Sequence, residues 1–430
     1  MQSRSIHPVN NPVKAKVRVP GSKSITNRAL LIAALANGKT TLQNALFSDD
    51  SRYFSGALMD LGFTLEMDED AGSISIWGTG GTIPKKEASL FIGNAGTAAR
   101  FLSAFLCIGD GQYTLDGEPR MRERPIGDLL ESLAALGVKL SGTKNPETGQ
   151  ICPPVRIVAN GLAGGVTRIT GQTSSQYVSA LMMIAPYAKA PFKIEVAGEL
   201  NSKPYVDMTE KVMADFGLRI GREGYRIFSV EPGRYISNSN YMIESDASAA
   251  SYFFALPAVT GGSVTVENIS RASIQGDINF LDVLASMGLH IEVGQNEITV
   301  HNHGVTLKGV DIDMSQIPDT AQTLAAIAPF ACSPTTIRGI ASARVKETDR
   351  VTATCIELRK LGVQVQEFPD GMRIEPCDSI VPAKIETYKD HRMAMAFSLI
   401  GLRQAGVEIL DPGCVSKTFP NFFKVLESVK

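Results

Sequence analysis

The sequence predicts an α/β protein with its helices inside and its sheets outside, built from six repeats that form two domains. Three observations predict this class. A helix, a glycine and a short strand recur at nearly constant spacing, a second helix–turn–strand pattern interleaves with the first, and several helices are apolar on nearly every face. With 430 residues, 44% of them hydrophobic, the chain is long enough for more than one core.

The first pattern is an amphipathic helix that ends at a glycine and is followed by a short alternating strand. A glycine just after a helix takes the left-handed backbone conformation that closes it, and the strand then alternates its apolar face. Successive copies are 75, 80, 71 and 74 residues apart, and their glycines are Gly62, Gly137, Gly217, Gly288 and Gly362. This spacing indicates a long structural repeat.

The second pattern, a helix followed by a turn and a strand, alternates with the first along the chain. Its six turns lie near Gly38, Gly111, Pro191, Gly262, Pro334 and Gly406. Six copies in 430 residues imply a unit of about 72 residues, and we expect each unit to have the order βαβαββ. Because six α/β units are too many for one core, we expect two domains of three units each.

The predicted helices indicate which layer is buried. Residues 180–186 and 324–330 are apolar on nearly every face of a helix. A helix of this kind is buried in a core rather than lying on a surface. The sheets must then cover the outside, so the sequence favours an inside-out α/β arrangement.

Composition and charge exclude several classes of function. The formal net charge is −2 and only 20% of residues are charged, so nothing in the overall charge favours nucleic acid or an anionic membrane. The six cysteines include no CxxC pair and the five histidines form no cluster with them, so we do not expect a zinc site. No apolar run has membrane-spanning length and no signal peptide is evident, so we expect a cytoplasmic protein.

Turns that enter predicted helices in the first half carry hydroxyls, glycines and cations. They are residues 21–28, 93–100, 118–125 and 172–177. A helix N-terminus favours bound anions through its free N–H groups and its positive dipole end. Residues 21–28 lack the glycine and lysine spacing of a P-loop. Two alternatives stay open: residues 118–125 as a solvated basic loop, and Ser174 and Ser175 as ordinary helix caps.

The densest charge cluster is residues 344–350, with five charges in seven residues between a predicted strand (335–340) and a predicted helix (352–362). Such a cluster either pairs within itself or binds an ionic ligand. Other basic turns favour the ligand, and Asp319 and Glu347 are then the natural proton-transfer pair. The cations that together indicate a doubly anionic ligand are Lys23, Arg28, Arg124, Lys346, Arg350, Arg392 and Lys417.

Taken in order, the motifs resemble those of the 5-enolpyruvylshikimate-3-phosphate synthases, an enolpyruvyl transferase family, along essentially the whole chain. They occupy residues 21–28, 93–98, 120–125, 174–176, 202–205, 344–350, 390–393 and 417–420. The resemblance implies transfer of the enolpyruvyl group of phosphoenolpyruvate to the 5-hydroxyl of shikimate 3-phosphate, with release of phosphate. It implies addition and elimination through a tetrahedral intermediate, without metal or cofactor, in chorismate and aromatic amino acid biosynthesis.

The resemblance also implies an architecture, two inside-out α/β barrel domains of three βαβαββ units each. The first domain would span residues 21–243 and the second residues 1–20 and 244–430, with the active site in the cleft between them. We expect a monomer whose partners are the two small substrates, with no nucleic acid and no membrane. Glyphosate should occupy the phosphoenolpyruvate site.

Individual roles follow from matching positions in the motifs. The catalytic residues implied are Asp319, as base for the attacking hydroxyl, and Glu347 or Lys23, as acid for the vinyl carbon. The implied shikimate 3-phosphate residues are Lys23, Ser24, Arg28, Ser174, Ser175, Gln176, Ser202, Tyr205, Asp319, Ser342 and Lys346. The implied phosphoenolpyruvate residues are Lys23, Asn94, Gly96, Arg124, Gln176, Glu347, Arg350, Arg392 and Lys417.

Two departures and two alternatives accompany this interpretation. Ser342 stands where many relatives carry Asn, and Phe101 stands where many carry Pro, so one substrate contact and the helix after Gly96 are in question. The sister transferase acting on UDP-N-acetylglucosamine is one alternative, but its loop carries a reactive cysteine and residues 120–125 contain none. A six-repeat clamp around nucleic acid is the other, and it would require a basic balance.

Overall fold

The computed structural model describes residues 2–171 and 174–430. Gln172 and Thr173, part of the hydroxyl-rich turn noted above, lie outside the described residues. The chain divides into two compact units, here called the first unit (Gly21–Ile243) and the second unit (Met1–Pro20 with Glu244–Lys430). None of the helices in the described part of the chain has the length and apolar character needed to span a bilayer.

The chain begins in the second unit with β1 (Ser3–Ile6) and β2 (Val13–Arg18), and then enters the first unit. The elements of the first unit are α1 (Lys23–Leu35), β3 (Asn37–Gln43), α2 (Asp49–Asp60), β4 (Thr64–Asp68), β5 (Ser73–Thr79), β6 (Glu87–Phe91), α3 (Gly96–Leu106), β7 (Asp110–Asp116), α4 (Gly127–Ala134), β8 (Lys139–Lys144), β9 (Ile151–Asn160), β10 (Gly165–Thr170), α5 (Ser175–Ile184), β11 (Phe192–Ala197), α6 (Lys203–Asp215), β12 (Gly221–Glu223), β13 (Ile227–Val230) and β14 (Tyr241–Met242).

The second unit resumes after β14. Its remaining elements are α7 (Ala247–Phe254), α8 (Leu256–Thr260), β15 (Gly262–Glu267), α9 (Phe280–Ser286), β16 (His290–Val293), β17 (Glu297–Asn302), β18 (Asp311–Asp313), α10 (Ala321–Ile327), β19 (Thr335–Arg338), α11 (Arg350–Lys360), β20 (Val365–Phe368), β21 (Gly371–Ile374), β22 (Lys384–Ile385), α12 (His391–Gly401), β23 (Val407–Leu410) and α13 (Phe422–Ser428).

Six sheets are formed by the described residues, three in each unit, and five of them share one strand order. Those five are β14–β3–β5–β4, β6–β7–β9–β8, β10–β11–β13–β12, β2–β15–β17–β16 and β18–β19–β21–β20. In each, the first two strands are parallel and the other neighbours are antiparallel. This order is what a βαβαββ unit produces, and the predicted α/β fold class is confirmed.

The sixth sheet is smaller, with the order β1–β23–β22. Here β22 and β23 are parallel, and the N-terminal strand β1 pairs antiparallel with β23, so that Ser3 faces Leu410. The last repeat therefore obtains its remaining strand from the other end of the chain. Strands β2 and β14 show a related exchange, since β2 precedes α1 but pairs with β15, whereas β14 precedes α7 but pairs with β3.

The first helix of each repeat is buried inside its unit, as the apolar helices predicted. Every residue of α3, α10 and α12 is buried, and so is α1 from Ile25 to Leu35. The second helices, such as α2 and α6, bury only one face. Burial of an apolar stripe is what fixes such a helix against the core.

The repeating glycines also behave as the sequence predicted. Gly62, Gly137, Gly288 and Gly362 have φ between +81° and +106° and each is followed within a few residues by a strand. After Gly217 the expected strand at 218–220 is absent, and β12 begins only at Gly221, where its pairing with β13 starts. The predicted helix at 352–362 begins earlier, at Arg350, because Asp349 caps it by accepting the N–H groups of residues 351 and 352 at 3.1 Å.

Candidate active site

Many of the functional side chains predicted in the first unit lie at the N-termini of its three buried helices, α1, α3 and α5. At α1, the cap Ser22 accepts the N–H of Ile25 at 3.4 Å, and Lys23 is the first helical residue. Lys23 Nζ lies 3.5 Å from a carboxylate oxygen of Asp50, which is almost completely buried. The ammonium group therefore stands at the positive end of the helix with a carboxylate partner on α2.

Arg28 lies one turn further along α1 and is almost fully buried. Its guanidinium donates to Thr209 Oγ1 at 2.7 Å, to the Ser24 carbonyl at 2.9 Å and to the Tyr205 carbonyl at 3.0 Å. Burial lowers the pKa of Arg28 to about 10, so the group still carries its charge at neutral pH. The ring of Phe101 lies under this guanidinium, with 5.2 Å between Cζ and the ring centroid.

Phe101 therefore contacts the Arg28 guanidinium in addition to packing in the core. It is fully buried in α3, which begins at Gly96 and runs unbroken to Leu106. A guanidinium over an aromatic face is attracted by the ring quadrupole, and the attraction is strongest where water is excluded. The departure at this position leaves a regular helix and gives Arg28 an aromatic partner.

Gly96 and Arg124 meet at the start of α3. Arg124 is buried, and its Nη1 donates to both the carbonyl and the side-chain oxygen of Asn94 at 3.1 Å. At Arg124, residues 118–125 are therefore not a solvated basic loop, which was one alternative left open by the sequence. Arg122 fits that description better, because it is exposed and pairs with Asp116 at 2.6 Å.

Arg100 fixes this loop to α3, a role that sequence reasoning missed. It donates to the Gly96 carbonyl at 3.0 Å and to the Pro125 carbonyl at 2.9 Å. The Tyr177 hydroxyl donates to the same Pro125 carbonyl at 2.6 Å. A long-range partner such as Pro125 leaves no local signal in the sequence, although Arg100 itself lies within one of the motifs.

The turn before α5 combines capping with candidate binding groups. Ser174 is the N-cap and its hydroxyl accepts the N–H of Gln176 at 3.2 Å, so the capping alternative holds for this serine. Gln176 Nε2 lies 3.4 Å from Thr97 Oγ1, which joins α5 to α3, and Ser175 is buried. Ser202 caps α6 in the left-handed conformation, with φ of 54°.

In the second unit, three cations converge on Asp319. This residue lies in a 3₁₀ turn (Pro318–Thr320) at the start of α10. Its Oδ1 accepts from Lys346 Nζ at 2.5 Å and from Arg350 Nη1 at 3.0 Å, and its Oδ2 accepts from Arg392 Nη2 at 2.9 Å. Asp319, Lys346, Arg350 and Arg392 are called the Asp319 cluster below.

The charges within this cluster shift the pKa values of Asp319 and Lys346. Burial opposes ionisation of Asp319, but the charges of Arg392, Lys346 and Arg350 outweigh it and hold the pKa of this carboxyl well below its usual range. Burial lowers the pKa of Lys346, although Asp319 counteracts it. Asp319 is thus a poor base while the three cations surround it.

Arg350 is the centre of a wider network. It is almost fully buried and donates to Asp390 Oδ2 at 2.7 Å and to Glu347 Oε2 at 2.7 Å. The other oxygen of Glu347 lies 4.0 Å from Lys417 Nζ. Burial opposes the charge of Arg350, but the three carboxylates around it raise the pKa of this guanidinium above its ordinary value.

The charged segment 344–350 divides into two parts. Arg344 pairs with Asp349 at 2.8 Å and with Glu367 at 3.0 Å, which is the mutual pairing that the sequence left open. Lys346 and Arg350 instead belong to the Asp319 cluster, and Glu347 pairs with Arg350. One part of the segment therefore anchors the start of α11, and the other part joins the candidate site. Ser342 lies half-buried in the preceding 3₁₀ turn (Ala341–Val345).

Asp277 is a further buried acid that sequence reasoning missed. It lies in a 3₁₀ turn (Gly276–Asn279), accepts the hydroxyl of Ser248 at Oδ2, and has no hydrogen-bond partner for Oδ1 among the described residues. Burial, together with the charge of Asp319, raises the pKa of Asp277 to about 6. The residues next to Asp277 in the sequence do not indicate its raised pKa, because the shift arises from burial in the folded protein.

The structure also brings together three histidines that the sequence did not place in a cluster. The rings of His290, His301 and His303 lie 5.2–6.1 Å apart at the β16–β17 hairpin. No group of three or more His, Cys, Asp or Glu side chains suited to a metal ion occurs in residues 2–171 and 174–430.

The predicted residues thus form two sets, one in each unit. The set in the first unit comprises Lys23, Ser24, Arg28, Asn94, Gly96, Arg124, Ser174, Ser175, Gln176, Ser202 and Tyr205. The set in the second unit comprises Asp319, Ser342, Lys346, Glu347, Arg350, Arg392 and Lys417. Most of these side chains stand at or near the start of a helix.

Repeated βαβαββ units around buried helices define this chain as an α/β repeat protein, and its candidate site carries cations at the helix N-termini. The sequence profile described as EPSP synthase (3-phosphoshikimate 1-carboxyvinyltransferase) matches residues 9–426. The chain therefore belongs to the EPSP synthase family.

Individual relatives agree with this assignment. The chain is 50% identical to the 3-phosphoshikimate 1-carboxyvinyltransferase of Nostoc punctiforme, with 98% of each chain covered. It is 48% identical to the protein of the same name from Shewanella amazonensis, again with 98% of each chain covered. Among solved structures, the EPSP synthase of Acinetobacter baumannii matches with a TM-score of 0.81 and 28% identity, over 100% of this chain and 98% of that one.

A more distant structure shares the fold alone. The enolpyruvyl transferase NikO from Streptomyces tendae matches with a TM-score of 0.76 at 17% identity, over 99% of this chain and 96% of that one. The arrangement of repeats is therefore common to enolpyruvyl transferases of quite different sequence.

Proposed function

We propose that this protein is a 3-phosphoshikimate 1-carboxyvinyltransferase. It transfers the enolpyruvyl group of phosphoenolpyruvate to the 5-hydroxyl of shikimate 3-phosphate and releases phosphate. Relatives of this name at 48–50% identity over 98% of the chain support the proposal. The structural observation that carries it is the Asp319 cluster, in which three cations share one carboxylate.

Lys346, Arg350, Arg392 and Lys417 carry four formal positive charges against three formal negative charges on Asp319, Glu347 and Asp390, and this net positive charge suits anionic substrates. Phosphoenolpyruvate carries a carboxylate and a phosphate, and shikimate 3-phosphate carries the same two kinds of group. We propose that Lys346 binds shikimate 3-phosphate and that Arg350, Arg392 and Lys417 bind phosphoenolpyruvate. Arg350 and Arg392 suit such groups because a guanidinium can donate two parallel hydrogen bonds.

The first unit supplies the remaining contacts in this proposal. Ser24, Arg28, Ser174, Ser175, Gln176, Ser202 and Tyr205 bind shikimate 3-phosphate, together with Asp319 and Ser342. Lys23, Asn94, Gly96, Arg124 and Gln176 bind phosphoenolpyruvate, together with Glu347. We propose that residues of both units act on the same pair of substrates. Hydroxyls and cations at helix starts support these roles, because helix N-termini favour anions.

Substrate binding would convert Asp319 from a poor base into a useful one. Anions that draw Arg350, Arg392 and Lys346 away from Asp319 remove the charges that depress the pKa of its carboxyl. The full rise in this pKa requires both substrates, because Lys346 is assigned to shikimate 3-phosphate and the two arginines to phosphoenolpyruvate. Asp319 then accepts the proton of the 5-hydroxyl as the oxygen attacks C2 of phosphoenolpyruvate.

The second proton moves at C3 of phosphoenolpyruvate. Glu347, or Lys23 as the other candidate, adds a proton to C3 during addition, which gives the tetrahedral intermediate with a methyl group. Elimination removes a proton from C3 again, breaks the C2–O bond to phosphate and restores the double bond. Arg350 positions Glu347 for this exchange through its contact with Oε2 at 2.7 Å, and binding of a substrate anion to Arg350 would free the carboxyl group to carry the proton.

The finer aspects of the proposal concern partners and location. We propose a monomer in the cytoplasm without a nucleic-acid or membrane partner, since a net charge of −2 gives no basis for binding polyanions. Light scattering of the purified protein measures the oligomeric state, and a stable dimer would contradict this part.

Phosphate release tests the activity. Purified protein should release phosphate only when phosphoenolpyruvate and shikimate 3-phosphate are both present, and without an added divalent ion. Reactions lacking one substrate serve as controls. Turnover with UDP-N-acetylglucosamine in place of shikimate 3-phosphate, or an absolute need for a metal, would overturn the proposal.

A further inference from the structure

The turn that leads into α12 is conformationally unusual. Tyr388 and Lys389 have φ values of 53° and 56°, so two consecutive residues other than glycine occupy the left-handed region. Such residues are uncommon and persist only where surrounding contacts hold them. The turn ends at Asp390, the cap of α12, and the second residue of that helix is Arg392. Because Arg392 follows this turn so closely, the contacts that hold the turn also position Arg392.

Glu357 is the side chain that holds it. This residue of α11 has a fully buried carboxylate, with none of its side chain exposed. Its Oε1 accepts the hydroxyl of Tyr388 at 2.6 Å, and its Oε2 accepts the backbone N–H of Glu386 at 3.1 Å. Lys360 donates to both oxygens, at 2.8 and 2.9 Å, from the half-exposed side. One carboxylate thus joins α11 to two points of the turn.

Tyr388 is suited to be a lasting donor in this contact. Burial, and then its hydrogen bond to Glu357, raise the pKa of the Tyr388 hydroxyl above its ordinary value. The hydroxyl therefore keeps its proton throughout the neutral range. A hydrogen bond to a charged, buried acceptor is stronger than one between neutral groups.

The same two helices are joined a second time at the site. Arg350, the first residue of α11, donates to Asp390 at 2.7 and 3.3 Å, and Asp390 accepts the N–H of Arg392 at 2.9 Å. Both arginines also bind Asp319. Glu357 lies two turns further along α11, so the segment 386–390 is fixed against that helix at both ends.

We propose that Glu357 is a positioning residue of the phosphoenolpyruvate site. It fixes the 386–389 turn against α11 and so keeps Arg392 aligned with Arg350 for the anionic groups of the substrate. This inference rests on the proposed function. Glu357 acts through its contacts with the Tyr388 hydroxyl and the backbone N–H of Glu386.

The ion pair with Lys360 is a separate contact of the same carboxylate and provides the control. Lys360 is three residues away on α11 and its side chain is 43% exposed. If Glu357 served only to stabilise the end of α11, loss of Lys360 and loss of the Tyr388 hydroxyl would have similar effects. If Glu357 positions Arg392, only the contacts to the turn affect substrate binding.

The test compares Tyr388→Phe, Glu357→Gln and the control Lys360→Gln. Tyr388→Phe retains the ring and removes one hydrogen bond to the turn. Because Tyr388 acts on Arg392 only indirectly, KM for phosphoenolpyruvate should rise roughly 3–30-fold, less than the roughly 10–150-fold that direct loss of a hydrogen bond to a charged group can cause. KM for shikimate 3-phosphate should stay within about twofold, because none of residues 386–392 is among the proposed shikimate 3-phosphate residues. Lys360→Gln should leave both constants within about twofold.

The double variant Glu357→Gln with Tyr388→Phe gives a second readout. Because both changes break the same contact, their effects on KM for phosphoenolpyruvate should be clearly less than additive. Unchanged KM in Tyr388→Phe, with only a lower melting temperature, would overturn the positioning role, and so would an equal effect of Lys360→Gln. Absence of turnover in the unmodified enzyme would overturn the proposed function and this inference together.

Discussion

The guanidinium of Arg124 lies directly over Gly96. A Cβ built at position 96 would come within 2.5 Å of Arg124 Nη2 and 2.9 Å of Cζ. Because the guanidinium ends a flexible side chain, an added methyl group would displace Arg124 rather than the backbone. Gly96 therefore does more than leave space for a ligand, since it allows Arg124 to take up the position in which it also binds Asn94.

This relationship sharpens the expectation for Gly96→Ala. The variant should weaken inhibition by glyphosate strongly, by roughly tenfold or more if one charged hydrogen bond is lost. It should also raise KM for phosphoenolpyruvate to a smaller extent, because Arg124 is displaced. Affinity for shikimate 3-phosphate should be almost unchanged. An inhibition series at fixed shikimate 3-phosphate and varied phosphoenolpyruvate measures the first two, and a titration with shikimate 3-phosphate measures the third.

Gly56→Ala is the matched control for this variant. Gly56 lies within α2 of the same unit, and a Cβ there would have no neighbour within 4 Å. Its inhibition constant should equal that of the unmodified enzyme. Strong resistance of the unmodified enzyme to glyphosate would contradict the argument from Gly96, and so would a Gly96→Ala variant that remains fully sensitive.

Phe101 should influence shikimate 3-phosphate through Arg28. Phe101→Leu removes the ring under the guanidinium but leaves an apolar residue suited to a helix. We expect KM for shikimate 3-phosphate to rise roughly 2–30-fold, from a cation–π contact of about 0.5–2 kcal/mol. Steady-state kinetics with saturating phosphoenolpyruvate measures this change.

Phe105→Leu is the control, because Phe105 is equally buried in α3 and packs against Phe63 instead of an arginine. Both variants should lose a similar amount of stability, since each shortens a buried aromatic side chain. A rise in KM shared by both variants would attribute the effect to helix packing rather than to Arg28.

The parts of the fold that the sequence predicted are those with local signals. The glycines after helices and the apolar first helices are read directly from neighbouring residues, and both are confirmed. The exchange of β2 and β14 between repeats could not be predicted, because β2 pairs with β15, 249 residues further along the chain, and its own residues do not select that partner. Periodicity identifies strands but does not identify their neighbours.

In the candidate site, too, local features were predictable from the sequence and long-range contacts were not. Cations and hydroxyls at helix starts were predicted from motifs. The contacts that set their chemistry join residues far apart in the chain, such as Arg392 with Asp319 and Arg28 with Phe101. The raised pKa of Asp277 depends on burial and on the nearby charge of Asp319, neither of which its sequence neighbours reveal.

Asp319 and Glu347 should affect turnover more than binding. Asp319→Asn and Glu347→Gln keep the shape of each side chain, and kcat should fall roughly 10²–10⁴-fold when a positioned proton-transfer group is lost. Phosphoenolpyruvate should bind Asp319→Asn no more weakly than the unmodified enzyme, because the carboxylate no longer competes for Arg350 and Arg392. Single-turnover kinetics and equilibrium titration separate the two effects.

Asp313→Asn is a suitable control for these variants, because Asp313 is an exposed acid of β18 in the same unit. It should leave kcat unchanged. An unchanged kcat in Asp319→Asn or in Glu347→Gln would remove that residue from the catalytic assignment.

Asp277 should make stability depend on pH in a particular direction. Its folded pKa of about 6 exceeds the ordinary value of 3.8, so the folded state binds more protons between these values and loses stability as pH rises through 6. Asp277→Asn removes this loss and retains an acceptor for Ser248. The variant should melt at a higher temperature than the unmodified protein at pH 8. The gain in the free energy of unfolding should be at most about 3 kcal/mol and should shrink towards pH 5.

Thermal unfolding at several pH values measures this gain, with the exposed Asp378→Asn as control. A gain that is independent of pH, or one that grows as pH falls, would show that the buried charge of Asp277 is not its cause.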